Sequence, residues 1–162
     1  MSRPFASIVD APLRTQLDTI LDEHRAALDA CLDGLTEEEA RRRLVPSRTT
    51  LLGLVKHATY VERVWFGEVI GGIPRTEQGL PAAVADSFLL TEEDTIASLQ
   101  AAHREACAAS RDAVTGMTLD DVALGGHHGP LPLRWIYPHL VRELAQHCGH
   151  ADILREQILA AR

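Results

Sequence analysis

The chain has 162 residues, the size of one domain with its own hydrophobic core, expected here across 1–162. Apolar residues make up 46% and charged residues 24%, an ordinary globular balance, and the net charge of −7 argues against a surface for nucleic-acid phosphates. No apolar run reaches the ~18 residues of a membrane span, no basic-then-apolar leader opens the chain, and Cys31, Cys107 and Cys148 form no CxxC pair. Free thiols in a reducing, cytoplasmic compartment are expected.

The first helix is predicted over roughly 11–33, where Leu17, Ile20, Leu21, Leu28 and Cys31 recur at three- and four-residue steps and Gly34 ends the pattern. A short linking helix follows in "LTEEEARRRL", with Thr36 as N-cap, Glu39 at capping-box spacing and Pro46 as terminator. Helix two begins near Thr49 or Thr50 and runs to about Val69, with Leu51, Leu54, Val55, Ala58, Val61 and Trp65 on its stripe. Residues 71–90 form a connection long enough to cross a bundle, so helices two and three need not be antiparallel; patternless stretches of this length are often functional. Helix three is predicted to start with Thr91 as N-cap, acidic residues following in its first turn. Ile96, Leu99, Ala106 and Val114 mark its inner side. A loop over 115–132 carries "LGGHHGPLP", whose His127 and His128 are by default solvated. Helix four spans about 133–160, with a kink or ragged start at Pro138. Strand alternation is absent, and the class is all-α: a four-helix bundle with a long connection between helices two and three.

Helix four also carries polar residues that a core stripe does not need. At about 100° per residue, His139, Glu143, His147 and His150 fall within about 80° of one another. Glu143 and His147, one turn apart, can reach a single ion together, and a bundle metal site takes its further ligands from neighbouring helices. His57, between Leu54 and Val61 on the buried stripe of helix two, fits best; His24 and His103 are weaker candidates. Taken singly, a histidine on an apolar face is ordinarily a satisfied core residue and an ExxxH pair a surface pair. Cys148 points about 100° away from His147 and is expected to pack against a neighbouring helix.

The segments "GLTEEEARRRLVPSRTTLLGLVKHATYVERVWF" and "LPLRWIYPHLVRELAQHCGHADILRE", in a four-helix frame, resemble the DinB/YfiT-like superfamily of metalloenzymes, closest to the actinobacterial branch related to mycothiol-dependent maleylpyruvate isomerases. The resemblance implies a metal triad of His57, Glu143 and His147. Glutamate at 143 is the choice of the mycothiol-linked branch, whereas many relatives have histidine. Many relatives also have glutamine where His150 stands, which leaves His150 as a fourth ligand or, the reading preferred here, a residue bordering the substrate pocket. Two imidazoles and a carboxylate suit zinc first, and also nickel, manganese or iron. The expected activity is a metal-dependent thiol S-transferase or thiol-dependent isomerase, with a low-molecular-weight thiol such as mycothiol as cosubstrate and a small electrophile as substrate. The alternatives are a non-catalytic, stress-related metal-binding bundle and a metal-dependent hydrolase. Family members often pair, so a homodimer is expected, with Trp65, Phe66 and Trp135 as candidates for an uncovered stripe.

Overall fold

The computed structural model describes residues 8–162. Helix α1 spans Leu13–Ala30, the short α2 Glu37–Arg41, and α3 Leu51–Glu62, prolonged by a π-helical segment over Arg63–Ile70. A 3₁₀ turn over Val84–Phe88 sits in the long connection, followed by α4 (Ile96–Ala113) and α5 (Leu133–Ala160). The mainly helical bundle expected from the sequence is therefore present. A two-residue antiparallel pair, β1 (Val122–Ala123) with β2 (Leu131–Pro132), ties off the loop before α5. It is too short to leave an alternating pattern in the sequence. Among the described residues, no helix is long and apolar enough to cross a membrane.

Side-chain contacts fix the helix directions. Asp18 meets Tyr137, His24 meets Cys148 and Cys31 meets Arg155, so α1 and α5 run parallel. Asp22 pairs with Arg111 and Asp29 with Arg104, so α4 runs against α1. His57 faces Glu143 while Phe66 packs on Tyr137, so α3 is antiparallel to α5. The order is up, down, down, up. The connection between α3 and α4 must therefore travel the length of the bundle, as its length allowed.

Local signals explain most helix ends. Thr36 and Glu39 form the reciprocal capping box, and Gly34 takes the left-handed φ of +72° that lets the chain turn out of α1. Thr50 caps α3 through the N–H of Gly53. Helix α4 starts later than the sequence suggested. Its N-cap is Thr95, boxed with Ser98, and the Glu37 carboxylate accepts from the N–H of Ile96. Thr91 is not the cap because Asp94 folds back to accept from its N–H and hydroxyl, and Lys56 binds the same carboxylate at 2.7 Å. Helix α5 is continuous through Pro138, without the ragged start its proline suggested. The π-helical segment closes with the Gly71 N–H reaching the Phe66 carbonyl at 3.0 Å, one residue further back than an α-helix would.

The core holds Leu21 and Leu28 from α1, nearly all of α3, and Ile136, Leu140, Leu144 and Ile158 from α5. Two of the three residues expected on an uncovered stripe lie inside: Phe66 is 2% exposed and Trp65 9%, against 48% for Trp135. Phe66 packs edge-on to Tyr137, and His128 and His139 cover Trp65. One core feature left no sign in the apolar stripe. Arg25, midway between Leu21 and Leu28, makes a two-pronged ion pair with Glu62 at 2.8 and 2.7 Å. Its guanidinium lies 5.3 Å from the centroid of the Phe66 ring. Packing α1 against α3 forces both charges out of water together.

Candidate metal centre

His57 sits in the middle of α3, where the apolar sequence on both sides buries it to 2% exposure against α5. Its Nδ1 lies 2.7 Å from the Ser87 hydroxyl in the 3₁₀ turn. Ser87 spends its single proton on the Val84 carbonyl at 2.6 Å, so its oxygen must accept from His57 Nδ1–H. A neutral His57 therefore carries its lone pair on Nε2. That atom points at Glu143 Oε1, 3.4 Å away, and His147 Nε2 lies 3.1 Å from the same oxygen.

The three donor atoms all lie within 4.8 Å of one another. Metal bonds of ~2.0–2.2 Å in a tetrahedral shell separate neighbouring donors by roughly 3.3–3.6 Å, close to the 3.4 and 3.1 Å that separate each imidazole nitrogen from Glu143 Oε1. A lone pair on His57 Nε2 facing a carboxylate oxygen is repulsive unless a proton or a cation lies between them. The donor set and its polarity thus fit a divalent ion, with Ser87 fixing the ring that would hold it. His147 Nδ1 is buried without a partner among the described residues. Phe88, next to Ser87, stacks on His57 at 4.1 Å between centroids and fixes the plane of the ring. Without a metal, hydrogen bonds from His147 and then from His57, which can donate here only when its Nε2 is also protonated, outweigh desolvation and hold the Glu143 carboxyl far below the ordinary range.

The other histidines divide by environment. His24 turns its Nδ1 back to the Ile20 carbonyl, and His103 is buried beside Cys107 with Nε2 near the Arg25 carbonyl; neither joins the cluster. Burial pushes His103 below the ordinary imidazole range. His150 is exposed, its ring 5.7 Å from that of His147, and it borders a separate groove with Val45, Thr49 and Ile153. His139 lies one turn before Glu143. Its Nδ1 accepts from Arg142 at 3.0 Å, so a neutral ring carries its proton on Nε2.

A cavity of about 260 Å³ opens against His57 and Glu143, bordered also by Tyr60, Trp65, His128 and His139. His127 and His128, expected as solvated loop residues, line it as well. Gly125 delivers them. Its N–H bonds to the Val69 carbonyl at 3.0 Å, and a Cβ on it would fall 2.1 Å from the Glu68 carbonyl oxygen. Only glycine can bring the loop so close to the π-helical backbone. Sequence reasoning missed Ser87, Phe88 and this docking. The length of the 71–90 connection was the only signal for the first two, and the glycine run was the signal for the third.

None of the three cysteines belongs to the cluster. Burial pushes Cys31 and Cys107 up to about 12 and Cys148 up to about 11. The cluster has no resident thiolate to offer.

No match was found among curated proteins. The family model for mycothiol S-transferase matches residues 16–160, a span that runs from α1 to the end of α5 and contains every residue of the cluster. With that span and the helical frame around His57, Glu143 and His147, the chain belongs to the mycothiol S-transferase family, the DinB/YfiT-like group tied to mycothiol.

Proposed function

We propose that this protein is a metal-dependent thiol S-transferase or thiol-dependent isomerase of the cytoplasm, joining the sulfur of mycothiol to a small electrophile. One observation carries the reading. Two imidazole nitrogens and a carboxylate converge beside a cavity, and none of the three cysteines is among the converging groups. The nucleophilic sulfur must therefore come from outside the chain. His57, Glu143 and His147 would hold a divalent ion, zinc first, with nickel, manganese or iron also compatible. When bound, such an ion supplies Lewis acidity and favours thiolate over thiol near neutral pH.

The chain's own residues do the rest. Ser87 and Phe88 orient His57. Val61 and Val64 present an apolar wall that keeps water from the cavity side. The Nε2–H of His139, fixed by Arg142, is the donor available to a substrate oxygen. His150 borders the neighbouring groove, where the body of a sugar-bearing thiol can lie beyond the small cavity. In the transfer, the thiol sulfur bonds to one carbon of an activated double bond as that π bond breaks, the electron pair moves to the far carbon and its attached carbonyl, and the proton given up by the thiol ends on that carbon, so that no group leaves.

Elemental analysis of the purified protein, paired with a conjugation assay using mycothiol and a generic electrophile, tests the reading. Stoichiometric metal with thioether formation is expected, both lost in His57→Ala. Hydrolysis of the electrophile without thioether would refute thiol transfer. The protein is also expected to be a homodimer, as family members often are. Val122, Leu124 and Trp135, 47%, 76% and 48% exposed, offer apolar surface near the loop hairpin. A monomer in sedimentation at micromolar concentration would count against this.

A further inference from the structure

The chain is poor in aromatic residues, at 4%, yet its two tryptophans lie together near the triad, Trp65 in the cavity wall and Trp135 6.0 Å from Trp65 between ring centroids. Trp65 comes from the π-helical segment and Trp135 from the first turn of α5. His139 lies between them, 4.5 Å from the Trp65 ring and 5.2 Å from Trp135, stacked on the latter at 9°. His128 lies parallel to Trp65, at 7° and 5.5 Å, and His127 rests 4.1 Å from His128. These rings are flat, polarisable faces, and neither His127 nor His128 is consumed by the metal cluster.

The loop that holds His127 and His128 is anchored at its start. Gly125 is locked to the Val69 carbonyl, while Gly126 and Gly129, at φ of +72° and +75°, flank the two imidazoles. Only Gly125 is held by close backbone contact; a Cβ on Gly129 would meet nothing. Val61 from the end of α3 and Val64 and Trp65 from the π-helical segment line the same cavity. A volume of about 260 Å³ falls just below the ~300–1,000 Å³ of drug-sized sites, so it suits one or two rings.

We propose that this cavity seats the electrophile and selects planar, conjugated molecules of one- or two-ring size, laid against the His128 and His139 rings that line it, with Trp65 packed behind both. An aromatic or conjugated carbonyl compound fits; a saturated ring of equal size does not. Stacked rings gain about 0.5–1.5 kcal/mol beyond simple burial, and a puckered ring forfeits this on each face it meets. This rests on the transferase reading for the term electrophile, but planar selectivity is a binding property and is measured without turnover.

The probe is 4-nitrobenzamide, planar and unreactive towards thiols, against cyclohexanecarboxamide, its saturated counterpart. Because Trp65 borders the cavity and Trp135 lies 6.0 Å from Trp65 between ring centroids, the nitroarene is expected to quench intrinsic fluorescence saturably, and calorimetry compares the two amides directly. Planar binding should be tighter by about tenfold, corresponding to stacking on two faces. His128→Ala, in an exposed loop where folding is not at risk, should weaken it about two- to tenfold, and His139→Ala likewise. Equal affinity for the two amides, or affinity unchanged in both variants, overturns the proposal. Selective binding of the planar amide with no thioether formed from any conjugated electrophile refutes the transferase reading and leaves the cavity's selectivity standing. Thioether formation confined to saturated electrophiles refutes the selectivity and leaves the transferase reading standing.

Discussion

Removing one hydroxyl well away from the ligand atoms should weaken the proposed metal site. In Ser87→Ala, Val84 loses a hydrogen bond at its carbonyl, but Val84 is 55% exposed and water can replace it. His57 has no such recourse at 2% exposure. Its Nδ1–H either stays unpaired in the core, at a cost of about 1–3 kcal/mol, or the proton moves to Nε2. Nε2–H then faces Glu143, and the lone pair that a metal needs is turned away. Either path penalises the form of His57 that binds metal. Loss of such an outer partner ordinarily costs 10–100-fold in metal affinity, or about 1.4–2.7 kcal/mol. Competition of Zn²⁺ between the protein and a chromophoric chelator measures this directly, with circular dichroism to show that the variant is folded. A folded Ser87→Ala with wild-type zinc affinity would refute the assignment of Ser87 as the group that fixes His57.

A chelator should lower the melting temperature at about pH 7.5 and do less near pH 5, because ligand imidazoles must be neutral to coordinate while Glu143, with its pKa depressed by His147 and His57, stays ionised throughout that range. In the metal-free protein the same depression contributes stability above the unfolded carboxyl value of about 4.3, and that contribution is lost as pH falls through the folded value; melting curves down the acid limb test the sign. Iodoacetamide at pH 8 should leave the native protein nearly unlabelled and modify three sites after denaturation, since burial raises Cys31 and Cys107 to about 12 and Cys148 to about 11; fast native labelling would contradict this. Arg25→Met should cost about 3–5 kcal/mol in urea unfolding by stranding Glu62 in the core, and Glu62→Gln added to it should recover part of that loss.

The frame was legible in the sequence where local chemistry decides it. Three- and four-residue apolar steps gave the long helices, and the Thr36 box and Gly34 stop needed only neighbours in the chain. Turn spacing put Glu143 and His147 together, and the buried stripe singled out His57 over His24 and His103. What the sequence hid is set by distant partners. Thr91 looked like a cap because nothing local reveals that Lys56 and Asp94 meet. Nothing local marks Arg25 as a core residue, because its partner Glu62 lies on another helix. Ser87 stood in a stretch without pattern, and only the up-down-down-up path explains why that stretch passes His57.

That path has a thermodynamic consequence. His57 and Glu143 are 86 positions apart, and the residues between them include all of α4, both cavity loops and the β pair. An ion held by both would be a reversible cross-link closing that loop, comparable with a disulfide in its effect on the unfolded chain. On the chain-entropy account, a closed loop of this size removes about 4–5 kcal/mol of freedom from the unfolded state. Cofactor supply would then govern how long the polypeptide survives against proteases, as well as whether it can react.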